Sequence, residues 1–184
     1  DRAVKLASRL GVRNEAGRWE RERDEIRDVI LSRGWSEKAQ AFTGSFDSDD
    51  LDASVLLMPI VGFLPVTDPR MKATIDAVER TLGKGGLICR WPEEPNGFIL
   101  CSYWMVECLA LAGQTDRAME RFDQVCGYCN DLGLFSEVAD PVTGEMLGNF
   151  PQAFSHIGLI NAAWQLSIAR PPGSRASSGR EDRG

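Results

Sequence analysis

Apolar residues recur along this chain at three- and four-residue steps, and the strict alternation expected of strands is scarce. Seven segments carry the helical period, roughly 1–10, 19–33, 50–63, 69–82, 98–113, 115–131 and 153–169. They are of two kinds. Met71, Ile75, Val78 and Leu82 mark one narrow stripe, and Ala118, Phe122, Val125 and Cys129 another, each at i, i+4, i+7, i+11. Trp19, Ile26 and Ile30 put a third segment in the same register, with Glu20, Arg21, Arg23 and Asp24 on its polar side. The second kind is apolar on most sides. Val55 to Val61, Phe98 to Leu109 and Ile157 to Leu166 are of this kind. Helices that are hydrophobic all round are predicted to be buried.

The two kinds alternate, which predicts an all-α fold of inner and outer helices in two layers, a helical toroid or part of one. The links agree. Those from inner to outer helices are short. Those from outer to inner, 34–49, 83–97 and 132–152, are long. In such a layered fold the long links emerge at one end, where a rigid scaffold usually carries its function. Tolerated insertions would give the same lengths. The last residues, 170–184, lack an apolar period and are rich in Pro, Gly, Ser and Arg, so they read as a disordered tail after a domain spanning 1–169. The chain opens at Asp1-Arg2-Ala3-Val4 already inside a helical pattern, as a piece of a longer protein would.

Composition narrows the partners. Net charge is -6, which repels phosphates and argues against nucleic acid. No apolar run reaches the length of a membrane span. Cys89, Cys101 and Cys108 sit among apolar residues as small buried hydrophobes, which points to a reducing, cytoplasmic setting. Cys126-Gly127-Tyr128-Cys129 spells C-x-x-C without a second ligand pair, and His156 is the single His, so a metal is not expected. Asp47-Ser48-Asp49-Asp50 lacks the ligand spacing of a calcium loop; Ser48 or Asp49 is expected to cap the following helix. Thr115 is expected to cap another. Gly83-Lys84-Gly85-Gly86 lacks phosphate-loop spacing and reads as a turn. Nothing in the sequence asks for a cofactor, and oligomeric state is left open.

The long links supply the candidate chemistry. The first carries Trp35, Glu37, Phe42, Phe46 and several Asp; the second Arg90, Trp91, Glu93, Glu94 and Asn96; the third Phe135, Glu137, Asp140, Glu145 and Asn149. Flat rings cover the C–H faces of a sugar, while carboxylates, Arg and amides bind its hydroxyls, so the set suits a neutral polyol. Glu137 stands out, because a charge beside Leu134 and Phe135 is costly to bury unless it is used. His156 could touch ligand or hold the loop backbone.

Three segments resemble the C-terminal half of glycoside hydrolase family 15, which includes glucoamylases and bacterial trehalases. They are Leu51-Asp52-Ala53-Ser54-Val55-Leu56-Leu57 with Val61-Gly62-Phe63-Leu64-Pro65; Arg90-Trp91-Pro92-Glu93-Glu94 followed by Phe98-Ile99-Leu100-Cys101-Ser102; and Gly148-Asn149-Phe150-Pro151-Gln152-Ala153-Phe154-Ser155-His156-Ile157-Gly158-Leu159. The resemblance implies a partial (α/α)6 toroid and an inverting α-glucoside hydrolase acting on trehalose or α-1,4-glucan ends to release glucose. It implies that Glu137, in Ser136-Glu137, is the general base, although Val138 follows where the family usually has Glu or Gln. Arg90 matches an Arg that binds the terminal glucosyl unit. Trp91 and Glu94 stand in for a Tyr and an Asp of that segment, and Phe98 falls where an aromatic is common. Trp35 joins them as a further aromatic contact for the sugar.

The family's general acid lies on a Trp-Glu loop ahead of the helix that 1–10 resembles, and no such loop is in this sequence. Inversion needs both carboxyls, about 6.5–9.5 Å apart. The chain alone is therefore expected to be inactive and its parent to be an enzyme. The alternative is a non-catalytic carbohydrate-binding or interaction module on a degenerate toroid.

Overall fold

In a computed structural model of the chain, residues 1–11 and 15–169 are described; the tail expected at 170–184 lies outside them. Among the described residues the helices are α1 (Arg2–Leu10), α2 (Ala16–Arg33), α3 (Leu57–Ile60), α4 (Pro69–Leu82), α5 (Ile99–Leu111), α6 (Thr115–Cys126) and α7 (Ala153–Ala169). The bounds of α4 follow from local chemistry. Asp68 caps it by accepting from the Arg70 N–H at 2.8 Å, Pro69 supplies a pre-set φ, and Met71, Ile75, Val78 and Leu82 are all buried. α5 is buried almost all round and packs against α6 and α7.

Five expectations are corrected. The segment 50–63 is not one helix: Ala53–Leu56 form a 3-10 turn leading into the single turn of α3, with Gly62 at φ +74° beyond it. The cap there is Asp52, which accepts from the Ser54 N–H at 2.7 Å; Asp49 instead accepts from Ser36 Oγ at 2.6 Å and from Lys38 at 2.9 Å. α6 ends at Cys126, not near 131, because the backbone tightens into three-residue turns through Tyr128 and Cys129; Gln114, not Thr115, holds the cap position, with no side-chain bond. Finally, α7 is buried on one side alone. Ser155, Gly158, Ala162 and Leu166 face inward. A Cβ on Gly158 would lie 3.1 Å from side-chain atoms of Leu100 and Tyr103, so α7 runs close against α5. On its other side Ile160 is 64% and Trp164 68% exposed, with Phe154, Ile157 and Ile168 alongside. Leu6, Leu10 and Ile26 on α1 and α2 are likewise exposed. Hydrophobicity all round predicts neighbours on every side, and among the described residues α7 packs on α5 and α6 from one side.

The long links are not irregular. β3 (Gly83–Lys84), β4 (Leu87–Ile88), β5 (Gly97–Phe98), β6 (Val138–Ala139) and β7 (Met146–Leu147) form a five-stranded antiparallel ladder in that order. Gly85 and Gly86 close its first hairpin at φ +55° and +85°, the turn expected from the glycines. At Gly97 a Cβ would sit 2.2 Å from that of Leu87, so β5 can lie beside β4 only with glycine there. The ladder joins the second and third long links into one ribbon at the start of α5. β1 (Trp35–Ser36) and β2 (Ala41–Phe42) make a separate small hairpin in the first.

Candidate active site

Glu137 immediately precedes β6 and is tied down on both sides. Its carbonyl accepts from the Ile99 N–H at 3.2 Å, and its N–H donates to the Asn149 carbonyl at 2.9 Å. Ser155 Oγ donates to the carbonyl of Ser136 at 2.7 Å. The buried Phe135 ring lies edge-on to Tyr103 and His156, with centroids 5.9 and 5.6 Å away. His156 Nε2 accepts from the Phe135 N–H at 3.4 Å while Nδ1–H donates to the Gln152 carbonyl at 2.7 Å. Of the two roles open to it, His156 takes the backbone-holding one.

The half-buried Glu137 side chain is gripped through one oxygen. Oε2 accepts from Asn149 Nδ2 at 2.9 Å and from the Asn149 N–H at 3.3 Å. Among the described residues no donor reaches Oε1. Gly148, at φ +73°, lets the chain turn so that Asn149 meets the carboxylate. A Cβ at Gly148 would stand 3.0 Å from Oε2.

β5 brings the next candidates alongside. Phe98 pairs with Val138 in the ladder. Trp91 packs on Phe98 with ring centroids 6.4 Å apart, and Trp91 is 42% exposed. The Arg90 guanidinium lies 5.6 Å from the Trp91 ring centroid and donates from Nε to Asp52 Oδ1 at 2.6 Å. Burial alone would raise the Asp52 carboxyl, but hydrogen bonds from Arg90 and Ser54 and the charge of Arg90 outweigh it and lower its pKa. The hydrogen bond that Arg90 donates to Asp52 raises the Arg90 pKa in turn.

Glu137, Phe98, Trp91 and Arg90 are thus linked through the β5–β6 pairing and the tilted contact of the Trp91 and Phe98 rings. Glu94 lies in the same link, but its Oε1 accepts from the Asn96 N–H at 3.3 Å, closing the turn. Trp35 stands apart. Its ring packs edge-on to Phe42 at 5.4 Å and its indole N–H donates to Glu37 at 3.0 Å; neither partner belongs to the group around Glu137. Asp52 and Gly148 stand in the motif segments without a role read from the sequence, and Asn149 is read there as an amide for sugar hydroxyls, not as the partner of Glu137. Asp52 is legible as a cap, two residues ahead of Ser54; that it also reaches Arg90 is not.

Among the described residues no group of three or more His, Cys, Asp or Glu is arranged to hold a metal ion. All five Cys are free, and Cys89, Cys101 and Cys108 are buried. Burial pushes the Cys101 thiol up to about 12, far from a reactive thiolate. A cleft of about 770 Å³ between α1 and α2 is floored by Ile26, Ile30 and Phe63. None of Arg90, Trp91 and Glu137 lines it. No helix of the described residues is long and apolar enough to cross a membrane.

Comparison with known proteins bears on this ribbon. The chain is 36% identical to a trehalase of Mycolicibacterium smegmatis over 97% of its own length and 28% of that protein. It is 33% identical to a trehalase of Thermoplasma volcanium over 92% of its length and 28% of the relative. The chain therefore spans less than a third of the relatives it matches. A solved structure titled "Glycosidase Wild Type" superposes with a TM-score of 0.78, covering 92% of this chain and 49% of that one at 20% identity. Another, "Glycosidase E335A in complex with glucose", gives 0.78 at 19% identity. At such identities the likeness concerns the fold alone. The family model "Glycosyl hydrolases family 15" matches residues 1–125 and 114–164. With that match running through most of the helices and the ribbon between them, the chain belongs to glycosyl hydrolases family 15.

Proposed function

We propose that the protein carrying this chain hydrolyses a neutral α-glucoside with inversion, and that Glu137 is its general base. The observation that carries the reading is the asymmetric hold on Glu137. A general base needs one carboxylate oxygen fixed and the other open to a water that it can deprotonate. Asn149 supplies the first condition at Oε2, and because no donor among the described residues engages Oε1, that oxygen is the one we assign to the water. The partly exposed Trp91 face, next to Phe98, suits the C–H side of a glucose ring. Arg90 suits its hydroxyls, and Glu94 and Trp35 are assigned to more distant contacts. In the reaction Oε1 takes a proton from water as that water adds to the anomeric carbon from the face opposite the leaving oxygen.

The leaving oxygen must receive a proton from a second carboxyl. We assign that general acid, and the rest of an (α/α)6 toroid, to parts of the parent outside this chain. Residues 1–169 would then form the C-terminal portion of the catalytic domain and would be inactive alone. The apolar face of α7, with Trp164 and Ile160, suits a surface covered by those parts. The trehalase relatives favour trehalose over α-1,4-glucan ends. The buried free thiols suit the cytoplasmic location expected from the sequence.

The test is Glu137→Gln in the intact protein. Turnover of trehalose should fall by about 100-fold or more with the thermal midpoint unchanged. A much smaller loss in a folded variant rules out the base role. Because the leaving unit of trehalose is itself α-glucose, inversion requires that α- and β-glucose appear first in equal amounts; α-glucose alone would mean retention.

A further inference from the structure

Asp52 has more partners than a helix cap needs. Its Oδ1 accepts from the Ser54 N–H at 2.7 Å and from Arg90 Nε at 2.6 Å. The next residue, Ala53, donates its N–H to the Arg90 carbonyl at 2.9 Å, so backbone and side chain of Arg90 are both fastened to one dipeptide. From behind, Gly44 approaches so closely that a Cβ there would lie 2.7 Å from the Asp52 Cβ. Gly44 is in turn held by its N–H to the Asp50 carbonyl at 3.0 Å. The aspartate is thus fixed by the first long link and by the 3-10 turn before α3.

This hold has a chemical consequence for Arg90. Its Nε is occupied, while among the described residues no protein acceptor engages Nη1 or Nη2. Two parallel N–H donors in a rigid fork are left beside the Trp91 ring, the geometry that grips a pair of neighbouring oxygens. A neutral sugar brings no charge to balance a guanidinium that is partly withdrawn from water. Asp52 supplies that balance within the protein.

We propose that Asp52 is a positioning residue for substrate recognition, holding Arg90 by Nε so that its two terminal nitrogens bind adjacent hydroxyls of the sugar unit lying on Trp91. The proposal rests on the reading above that Arg90 touches substrate. It separates a binding role from the plain structural one, because a cap needs only a short oxygen acceptor. Asp52→Ser keeps a good cap but is one bond too short to reach Arg90. Asp52→Asn keeps both hydrogen bonds and drops the charge.

The experiment is a double-mutant cycle in the intact protein with trehalose, measuring kcat, KM and thermal midpoint for Asp52→Ser, Arg90→Ala and the pair, with Asp52→Asn alongside. Asp52→Ser should raise KM about 10- to 100-fold and change kcat by less than about threefold. Asp52→Asn should recover most of that loss. In the Arg90→Ala background Asp52→Ser should add less than about twofold. An equal penalty in both backgrounds, or a KM that does not move in Asp52→Ser, overturns the proposal and leaves Asp52 as a cap. If Arg90→Ala itself leaves KM unchanged, Arg90 is not a substrate contact. The reading of Arg90 then fails together with that of Asp52, while the Glu137→Gln result stands independently.

Discussion

Gly148→Ala should damage turnover out of proportion to its damage to stability. Gly148 sits at φ +73°, where an L side chain costs about 1–2 kcal/mol. Its Cβ would also lie 3.0 Å from Glu137 Oε2 and 3.1 Å from the Glu137 Cβ. Ordinary contact between such atoms begins near ~3.5 Å, so the carboxylate must give way by roughly half an ångström. That shift breaks the 2.9 Å bond from Asn149 Nδ2. A hydrogen bond to a charged group is worth about 1.5–3 kcal/mol, which corresponds to a loss of roughly 10- to 100-fold in kcat. The same hairpin contains a control. Gly144 has φ +76° with nothing within 4 Å of its Cβ position, so Gly144→Ala imposes the same backbone strain without the contact. Steady-state kinetics on trehalose and thermal melts of both variants of the intact protein decide the matter. Gly144→Ala should lower the midpoint by a few degrees and spare kcat; Gly148→Ala should lower both. Equal kcat in the two variants would refute the claim that this hairpin sets the carboxylate.

Two further outcomes follow from buried or unpartnered groups. Glu107, 7% exposed on α5, is pushed by burial from 4.5 to about 7. Its raised folded-state pKa means that the cost of ionising it is absent below pH 4.5, grows between 4.5 and about 7, and is complete above that. At about 1.4 kcal/mol per pH unit the full cost is about 3.5 kcal/mol, so Glu107→Gln should gain that much over wild type in denaturant melts between pH 4.5 and pH 8; a pH-independent difference would contradict it. Replacing Ile160 and Trp164 with Lys should reduce self-association of residues 1–169 by sedimentation and destabilise the intact protein; unchanged stability of the intact protein would show that this face of α7 stays bare.

What the sequence made legible depended on how long each pattern runs. α4 was readable to the residue because Asp68-Pro69 opens it, Gly83 follows it and four apolar positions keep register between them. The five-stranded ladder was not, because two-residue strands are too short to show alternation. Val55 to Val61 looked helical because it is apolar, and burial does occur there, but a 3-10 turn and Gly62 divide it. Glu137 could be picked out by its odd neighbours and its motif. Its partner Asn149 could not, since their pairing depends on a hairpin that places residues 12 apart side by side. Trp35 matched the chemistry of a sugar contact by type, yet residue type does not determine which ring it meets, and it meets Phe42.

The ladder also governs how the site can move. Glu137 is tied beside β6 and Phe98 stands on β5, the strand paired with it, so these two move together; Arg90 and Trp91 lie two and three residues beyond β4, and Arg90 is fastened through Asp52 and Ala53. A shift of the 3-10 turn before α3 relative to the ladder would therefore move Arg90 with respect to Glu137.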